Sequence, residues 1–360
     1  MKRAVGIIFL IIYFFVFISF TVAEGQDASS RASERSANSA GKSLKVGLII
    51  PLSGLLAKMG EAVRDGALFA LDDLRRSKRL RISLMFEDGQ YSGKGTLASF
   101  HKLLLKGAEV IIVWGNMPSE VSASLAEREG VTTLVATTNP VSGRHIIRFG
   151  QEFEKAVKPL VQKINELGST KVGVVSLNLG NALKVVDKLR DEIKGKLKSV
   201  NFIEGEEDDF RSLIVKLKHL NIDLLVLFLG PARALSFLKQ SAELHYRPVI
   251  IGGDIFADVK FRLRASKLGF NIYYLYAPVK DNFLKRAASR SISLRYPFEV
   301  ATGYSLVLVA NFLAKARNYD PDFVKGFLEK FPVSSLPIEG AAYHRMGAES
   351  FFSFPIRVFK

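Results

Sequence analysis

The sequence predicts an α/β protein built from two doubly wound, Rossmann-like lobes. From residue 44 onwards, short apolar runs alternate with amphipathic stretches. Some of these runs, such as 224–229, are almost uninterrupted, which is typical of parallel strands covered by helices on both faces. The alternation starts again near Lys171 after a longer helix, so it indicates two units of the same kind.

Seven apolar runs are interpreted as strands, at 45–50, 81–86, 110–114, 132–136, 171–177, 223–229 and 249–252. Helical patterns lie between them. Apolar residues in 61–74 and in 184–197 recur with the spacing of a single helix face. The order of strands and helices is therefore the repeating pattern of a parallel sheet.

The first 23 residues are typical of a signal peptide. Lys2 and Arg3 precede an apolar run at 5–20, and the small residues up to Ala23 suit cleavage. The apolar run is also long enough for an uncleaved membrane anchor. Residues 24–43 are rich in Ser, Ala, Glu, Arg and Gly, and we interpret them as a flexible linker. Either way, the body of the protein is predicted to be exported, into the periplasm or another extracytoplasmic space.

Composition excludes several functional classes. The 360 residues contain no cysteine, which rules out disulfides, thiolate metal sites and cysteine nucleophiles. The five histidines are isolated, so we predict no metal site. The net charge of +16 is spread along the chain without a basic block, and no nucleic-acid-binding motif is present. We therefore predict no nucleic-acid partner.

A glycine-rich segment at 89–96 is the only candidate for a cofactor loop. It has three residues between its first glycine and the Gly-Lys pair, where a Walker A loop has four. We interpret it as an ordinary turn between a strand and a helix. The chain also contains no GxSxG and no GxGxxG motif. The prediction is a protein without a cofactor and without catalytic activity.

Ser119 and Thr138 are candidates for binding a carboxylate. Ser119 follows the strand that ends at Trp114 and suits the N-cap of the next helix, with Glu120 in the first turn. Its hydroxyl and the free N–H groups of the helix end favour an anion, although a cap needs no ligand. Thr138, in 136–140, lies just past the next strand, where open α/β sheets bind ligands. A local turn hydrogen bond is the alternative role for this threonine.

Glu152 and Asp254 are candidates for binding a cation. Glu152 lies where the first series of strands and helices gives way to the second. Asp254 follows a strand and two glycines, which allow close approach of the backbone. Solvated or capping carboxylates are the alternative in both cases. Together with Ser119 and Thr138, these residues complement a zwitterion.

The chain resembles the leucine/isoleucine/valine-binding-protein family, the extracytoplasmic receptors of branched-chain amino-acid ABC importers. The opening V-G-L-I-I-P-L-S-G at 46–54 carries the resemblance, as does A-T-G-Y at 301–304. Further short matches occur in the same order at 60–67, 87–88, 136–140, 217–223, 237–240 and 252–254. Their order and spacing make the resemblance specific.

The resemblance implies a type I periplasmic binding fold, in which two lobes joined by three crossovers close on a ligand. Lobe 1 would hold 44–150 and 280–333, and lobe 2 would hold 151–279 and 334–360. It also implies that the carboxylate of an amino acid is bound at positions similar to Ser119 and Thr138. The ammonium would be received by the carbonyl of Ala136 and by the acids Glu152 and Asp254.

Two positions depart from the family pattern. Met59 and the pair Gly230-Pro231 stand where the family often has aromatic residues. The prediction is an extracytoplasmic solute-binding receptor for an amino acid or a related small zwitterion, with an ABC permease of the inner membrane as its partner. The alternative is an extracytoplasmic sensor or protein-interaction module that uses the same fold without transporting a small molecule.

Overall fold

The computed structural model of the protein describes residues 43–54, 56–150, 153–177, 180–204, 208–316, 318–347 and 349–360. The predicted signal peptide 1–23 lies outside these residues, as does the predicted linker 24–43 except for its last position. Within the described part of the chain, no helix has the length and apolarity required to cross a bilayer.

The described residues form thirteen strands and eleven α-helices. The strands are β1 (Leu44–Ile50), β2 (Ile82–Asp88), β3 (Val110–Trp114), β4 (Thr132–Ala136), β5 (Ile146–Phe149), β6 (Val172–Leu177), β7 (Leu197–Ile203), β8 (Leu224–Phe228), β9 (Val249–Gly252), β10 (Ile272–Tyr276), β11 (Ala342–Met346), β12 (Glu349–Ser353) and β13 (Arg357–Phe359). The helices are α1 (Ala57–Arg76), α2 (Gly93–Leu105), α3 (Asn116–Glu129), α4 (Val157–Glu166), α5 (Gly180–Glu192), α6 (Arg211–His219), α7 (Pro231–Glu243), α8 (Val259–Ser266), α9 (Asp281–Ser289), α10 (Pro297–Leu313) and α11 (Pro321–Leu328).

The first sheet has the strand order β11-β12-β5-β4-β3-β1-β2. Neighbouring strands are parallel except for β11, which pairs antiparallel with β12 at one edge. Helices α1, α9, α10 and α11 pack on one face, and α2 and α3 pack on the other. We call this sheet with its helices the first lobe.

The second sheet has the strand order β13-β10-β9-β8-β6-β7 and is parallel except for β13 at its edge. Helices α4 and α5 cover one face, while α6, α7 and α8 cover the other. We call this sheet with its helices the second lobe. Two sheets of this kind confirm the predicted α/β class with two doubly wound lobes.

The packing of α1 against α10 depends on two glycines. A Cβ at Gly66 would lie 1.9 Å from the carbonyl oxygen of Val300, and a Cβ at Gly303 would lie 1.9 Å from that of Val63. The two helix backbones therefore touch at both points, which only glycine permits. Gly303 belongs to the A-T-G-Y motif, so this short match marks a packing contact of the fold.

All seven predicted strands are present, as β1, β2, β3, β4, β6, β8 and β9. The predicted helix 184–197 is wrong at its end. Helix α5 finishes at Glu192, because Gly195 turns the chain with a φ of +69° and Leu197 already belongs to β7. The sequence-based prediction lacks β5, β7, β10, β11, β12 and β13.

One part of the predicted division into lobes is also wrong. Residues 334–360 are predicted to belong to the second lobe, but β11 and β12 pair within the first sheet and only β13 joins the second. The chain passes between the lobes after β5, after β10 and after β12. The ends of β3 and β4 in the first lobe and of β8 and β9 in the second are the places where side chains can meet a ligand.

Candidate functional site

The candidate site begins where β3 and β4 end side by side. Trp114, the last residue of β3, pairs in register with Ala136, the last residue of β4. The start of α3 and the segment 137–140 therefore lie next to each other. Thr138 is half-buried in this segment, within hydrogen-bond distance of the first residue of α3.

Ser119 is not the N-cap of α3, so this prediction is wrong. The N-cap is Gly115, and Ser119 is the fourth residue of a helix that begins at Asn116. Glu120 consequently lies beyond the first turn. Glycine is required at the cap, because its φ is +109° and a Cβ there would lie 2.4 Å from the ring of Tyr91. The Ser119 side chain is fully buried, and its hydroxyl has no hydrogen-bond partner among the described residues.

Asn116 holds the segment that follows β4. Its Oδ1 atom accepts hydrogen bonds from the backbone N–H of Thr138 at 2.9 Å, from the Thr138 hydroxyl at 3.1 Å and from the Thr137 hydroxyl at 2.9 Å. The Thr137 hydroxyl accepts the backbone N–H of Asn139 at 3.0 Å, and the Asn139 amide donates to Glu120 at 2.6 Å. Most polar groups at this edge are thus paired with one another.

The structure describes only part of the predicted ammonium site. The carbonyl of Ala136 accepts the backbone N–H of Gly115 at 2.9 Å, which uses one of its two lone pairs. Glu152 lies outside the described residues. The backbone of Asp254 opens a short 3₁₀ turn directly after β9, while its side chain lies outside the described part of the chain. The ammonium half of the site stays a prediction.

Asp88 fixes the loop that follows β1 in the first lobe. Its carboxylate accepts the backbone N–H groups of Leu52 at 2.9 Å and Gln90 at 2.8 Å, and the hydroxyl of Ser53 at 2.6 Å. Partial burial acts to raise the pKa of Asp88, but the hydrogen bonds outweigh it and hold the pKa below its ordinary value. The carboxylate is therefore ionised near neutral pH and belongs to the scaffold of the site.

Asp258 joins the two lobes. Its Oδ1 caps α8 by accepting the backbone N–H of Lys260 at 2.8 Å. Its Oδ2 accepts Nε of Arg295 at 2.7 Å, from the segment that leads into α10 of the first lobe. This hydrogen bond raises the pKa of the Arg295 guanidinium despite partial burial, which acts to lower it. Asp258 as a whole residue is only 4% exposed.

A cavity of about 350 Å³ lies between the lobes. Its first-lobe wall includes Met59 of α1. Its remaining lining comes from the start of α7, from the 3₁₀ turn with α8, and from the segment before α10: Pro231, Ala232, Leu235, Ile255, Asp258, Lys260, Phe261, Arg264, Arg295 and Tyr296. The volume suits a small organic ligand.

The lining of this cavity combines apolar walls with an excess of positive charge. Met59, Leu235 and Phe261 supply apolar surface. The lining residues include three cations, Lys260, Arg264 and Arg295, and one carboxylate, that of Asp258, which pairs with Arg295. The site therefore favours a ligand with an apolar body and an anionic group.

The glycine-rich segment 89–96 forms a turn that its own atoms close. The Ser92 hydroxyl caps α2 by accepting the backbone N–H of Gly95 at 3.0 Å. A Cβ at Gly95 would lie 2.5 Å from the carbonyl oxygen of Gly89. Among the described residues, no group of three potential metal ligands occurs.

Sequence reasoning missed Asn116, Asp258 and Arg295. An aspartate just before an apolar helical stretch is a recognisable cap signal, so Asp258 could have been found. Asn116 and Arg295 carry no such local signal, because their partners lie about 20 to 40 residues away in the chain.

The fold and the cleft define a two-lobed binding protein. Residues 43–330 match the family model described as periplasmic binding protein, and the chain belongs to this family. Family membership places the protein outside the cytoplasm.

Solved structures support the same fold. The branched-chain amino acid transporter substrate-binding protein LivJ from Streptococcus pneumoniae, in complex with isoleucine, superposes with a TM-score of 0.71 at 19% identity, covering 87% of this chain and 100% of that one. A solute-binding protein from R. palustris in complex with benzoate gives 0.68 at 18% identity, over 85% and 90% of the two chains. A fatty acid ABC transporter substrate-binding protein from Thermomonospora curvata gives 0.66 at 16% identity, over 80% of each chain.

These similar proteins are named as substrate-binding proteins of transporters rather than as enzymes. None of the curated proteins matched the chain.

Proposed function

We propose that the protein is the solute-binding receptor of an ABC importer, and that its solute is a small organic carboxylate bound in the cavity between the lobes. The observation that carries the proposal is the lining of that cavity, in which apolar side chains lie beside Lys260, Arg264 and Arg295. Importers take up solutes through binding proteins of this fold, so an ABC permease of the inner membrane is the expected partner. Residues 1–23 would direct export to the periplasm, with or without cleavage.

The carboxylate is the chemical group that several lines of support share. Isoleucine, benzoate and fatty acids, which are named with the similar structures, differ in size and in the presence of an ammonium group. All three carry a carboxylate. An amino acid or a small zwitterion, as predicted from the sequence, therefore remains one member of the proposed class, and its ammonium would need Glu152 or Asp254.

The first experiment is a thermal-shift screen of the full exported chain. Aliphatic and aromatic monocarboxylates, amino acids and the matching neutral amides, such as benzoate with benzamide, form the panel. A ligand at 100 times its dissociation constant adds about 2.7 kcal/mol to the free energy of unfolding, so a true solute raises Tm by several degrees. We expect carboxylates to raise Tm and their amides to have no effect.

Substitution of a lining cation tests the position of the carboxylate. Arg264→Gln should weaken binding of the best carboxylate by about tenfold or more, because one charge-assisted hydrogen bond is lost. Lys267→Gln is the matched control: it removes one positive charge just past the end of the same helix, at an exposed residue that does not line the cavity. Equal affinity of both variants would place the carboxylate elsewhere. A screen with no stabilising solute would instead favour the sensor or interaction module.

A further inference from the structure

We infer that Asn116 is a specificity-determining residue whose side-chain amide occupies the position, at the ends of β3 and β4, that the sequence predicts to bind a carboxylate. This inference rests on the proposed function only in taking the cleft as the ligand site. It implies that α-amino acids cannot use this half of the cleft as long as Asn116 is in place. The anionic group of the solute is then left to the cations that line the cavity, Lys260, Arg264 and Arg295.

The Oδ1 atom of Asn116 is surrounded by donors that could equally bind a carboxylate oxygen. Three donors converge on its Oδ1: the backbone N–H of Thr138, the Thr138 hydroxyl and the Thr137 hydroxyl, at 2.9, 3.1 and 2.9 Å. A backbone N–H can only donate, so the side-chain atom that it meets must be the amide oxygen rather than the nitrogen. The assignment of the amide is therefore chemically determined.

A ligand carboxylate entering this position would have to displace an acceptor that already satisfies these donors. The exchange replaces one oxygen by another at the same donors and leaves the Asn116 amide to find new partners. It therefore gives little net gain in affinity.

The neighbouring groups do not offer a ligand carboxylate other donors. The Ser119 side chain has no exposed surface, so a ligand atom cannot reach its hydroxyl in this conformation. Pro118, in the first turn of α3, has no N–H, and the N–H of Ser119 is already bonded to the carbonyl of Gly115 at 3.0 Å. The helix start therefore offers fewer free donors than the sequence suggested.

Chemical rescue tests the inference without knowledge of the natural solute. Asn116→Ala should melt below wild type, because three donors lose their acceptor. Acetamide, which reproduces the missing side chain, and acetate, which reproduces a ligand carboxylate, should each raise the Tm of this variant in a saturable manner. Wild type should bind both at least tenfold more weakly. Asn116→Asp is the matched control, since its carboxylate keeps the position filled, and it should show no rescue.

Several outcomes would overturn the inference. Absence of rescue in Asn116→Ala would do so, as would equal binding of acetate by wild type and Asn116→Ala. If Asn116→Ala fails to fold, Asn116→Asp decides: because three donors favour its ionised form, the variant should gain stability relative to wild type as the pH rises towards about 4, and it should keep that gain at higher pH. No such gain would also refute the inference. These results are independent of the solute screen, so failure of one does not imply failure of the other.

Discussion

The two halves of the cleft differ in how their polar groups are satisfied. In the first lobe, Asn116, Thr137 and Thr138 hydrogen-bond one another across the ends of two strands. In the second lobe, Lys260 and Arg264 line an open cavity beside apolar side chains. The first half is therefore a closed, preorganised wall, and the second half holds the charges that remain available to a solute. Recognition of the charge of the solute should consequently lie mainly in the second lobe, while Asn116 restricts the binding of carboxylates in the first.

The largest expected effect comes from a glycine in the first-lobe wall. Gly115→Ala should lower the free energy of unfolding by about 2–4 kcal/mol. The backbone there, with φ of +109° and ψ of 154°, is accessible almost only to glycine, and the added Cβ would press on the ring of Tyr91. Urea denaturation followed by circular dichroism measures the change.

The matched substitution in the second lobe is Gly253→Ala, directly after β9. Its backbone has a φ of −82°, and a Cβ would lie 3.4 Å from the ring of Phe228, an ordinary contact. We expect a change in the free energy of unfolding below about 1 kcal/mol. If Gly115→Ala and Gly253→Ala lower the free energy of unfolding by the same amount, the first-lobe half of the cleft is not more rigid than the second-lobe half.

The sequence carries the information for the buried centre of each sheet but not for its edges. Strand β3 could be recognised because it is apolar on both faces, as a central parallel strand must be. Strand β7 is not predicted, because only two of its seven residues, Ser199 and Ile203, are buried and the strand lacks a clear apolar run. The edge strand β11 is partly or fully exposed throughout, so no apolar pattern predicts it either.

At the candidate site, the sequence predicts which strand ends carry polar residues but not the side-chain pairs between them. Ser119 has the right residue type for an N-cap, yet the cap falls on Gly115, because the ring of Tyr91 leaves room only for glycine. Asn116 and Thr138 are 22 positions apart in the chain. Their contact follows from the register of β3 with β4, which a single sequence does not reveal.

An intermediate effect is expected at Asp258, which caps α8 and pairs with Arg295 across the lobes. Asp258→Ala removes both interactions, and the free energy of unfolding should fall by about 1–2 kcal/mol. Asp258→Asn keeps an oxygen for the cap and loses only the ion pair. Because the Arg295 side chain is 43% exposed, that loss should be below about 1 kcal/mol. Thermal unfolding of both variants beside wild type measures the two contributions.

The comparison at Asp258 also separates its two roles. A large loss in Asp258→Ala with a small loss in Asp258→Asn identifies the cap as the main contribution. If Asp258→Asn is as unstable as Asp258→Ala, the ion pair between the lobes dominates. In that case the second lobe depends on the charge pair between Asp258 and Arg295 of the first lobe. The order of its half of the cleft is then not independent of the first lobe.

The smallest expected effect concerns the acid stability of the first-lobe wall. The pKa of Asp88 in the folded protein lies below its ordinary value, so the carboxylate contributes stability in full above about pH 4, the range of an unperturbed carboxyl. That stability is lost as the pH falls through the lower pKa of the folded state. Asp88→Asn should reduce stability at pH 7 by about 1 kcal/mol, because hydrogen bonds to a charged acceptor become bonds to a neutral one.

The measurement is the dependence of Tm on pH between 2 and 7 for Asp88→Asn and for the control Glu61→Gln. Glu61 lies in the same lobe, and a hydrogen bond from Lys58 lowers its pKa as well, but this pair lies on the surface of α1. Solvent screening makes such a pair weak, so in Glu61→Gln the fall of Tm at acid pH should be close to that of wild type. A smaller fall of Tm at acid pH in Asp88→Asn alone shows that the first-lobe wall is held by hydrogen bonds to a partly buried carboxylate. Equal curves for the two variants would mean that Asp88 behaves as a surface charge, and the first half of the cleft would then owe its order to Asn116 and the backbone alone.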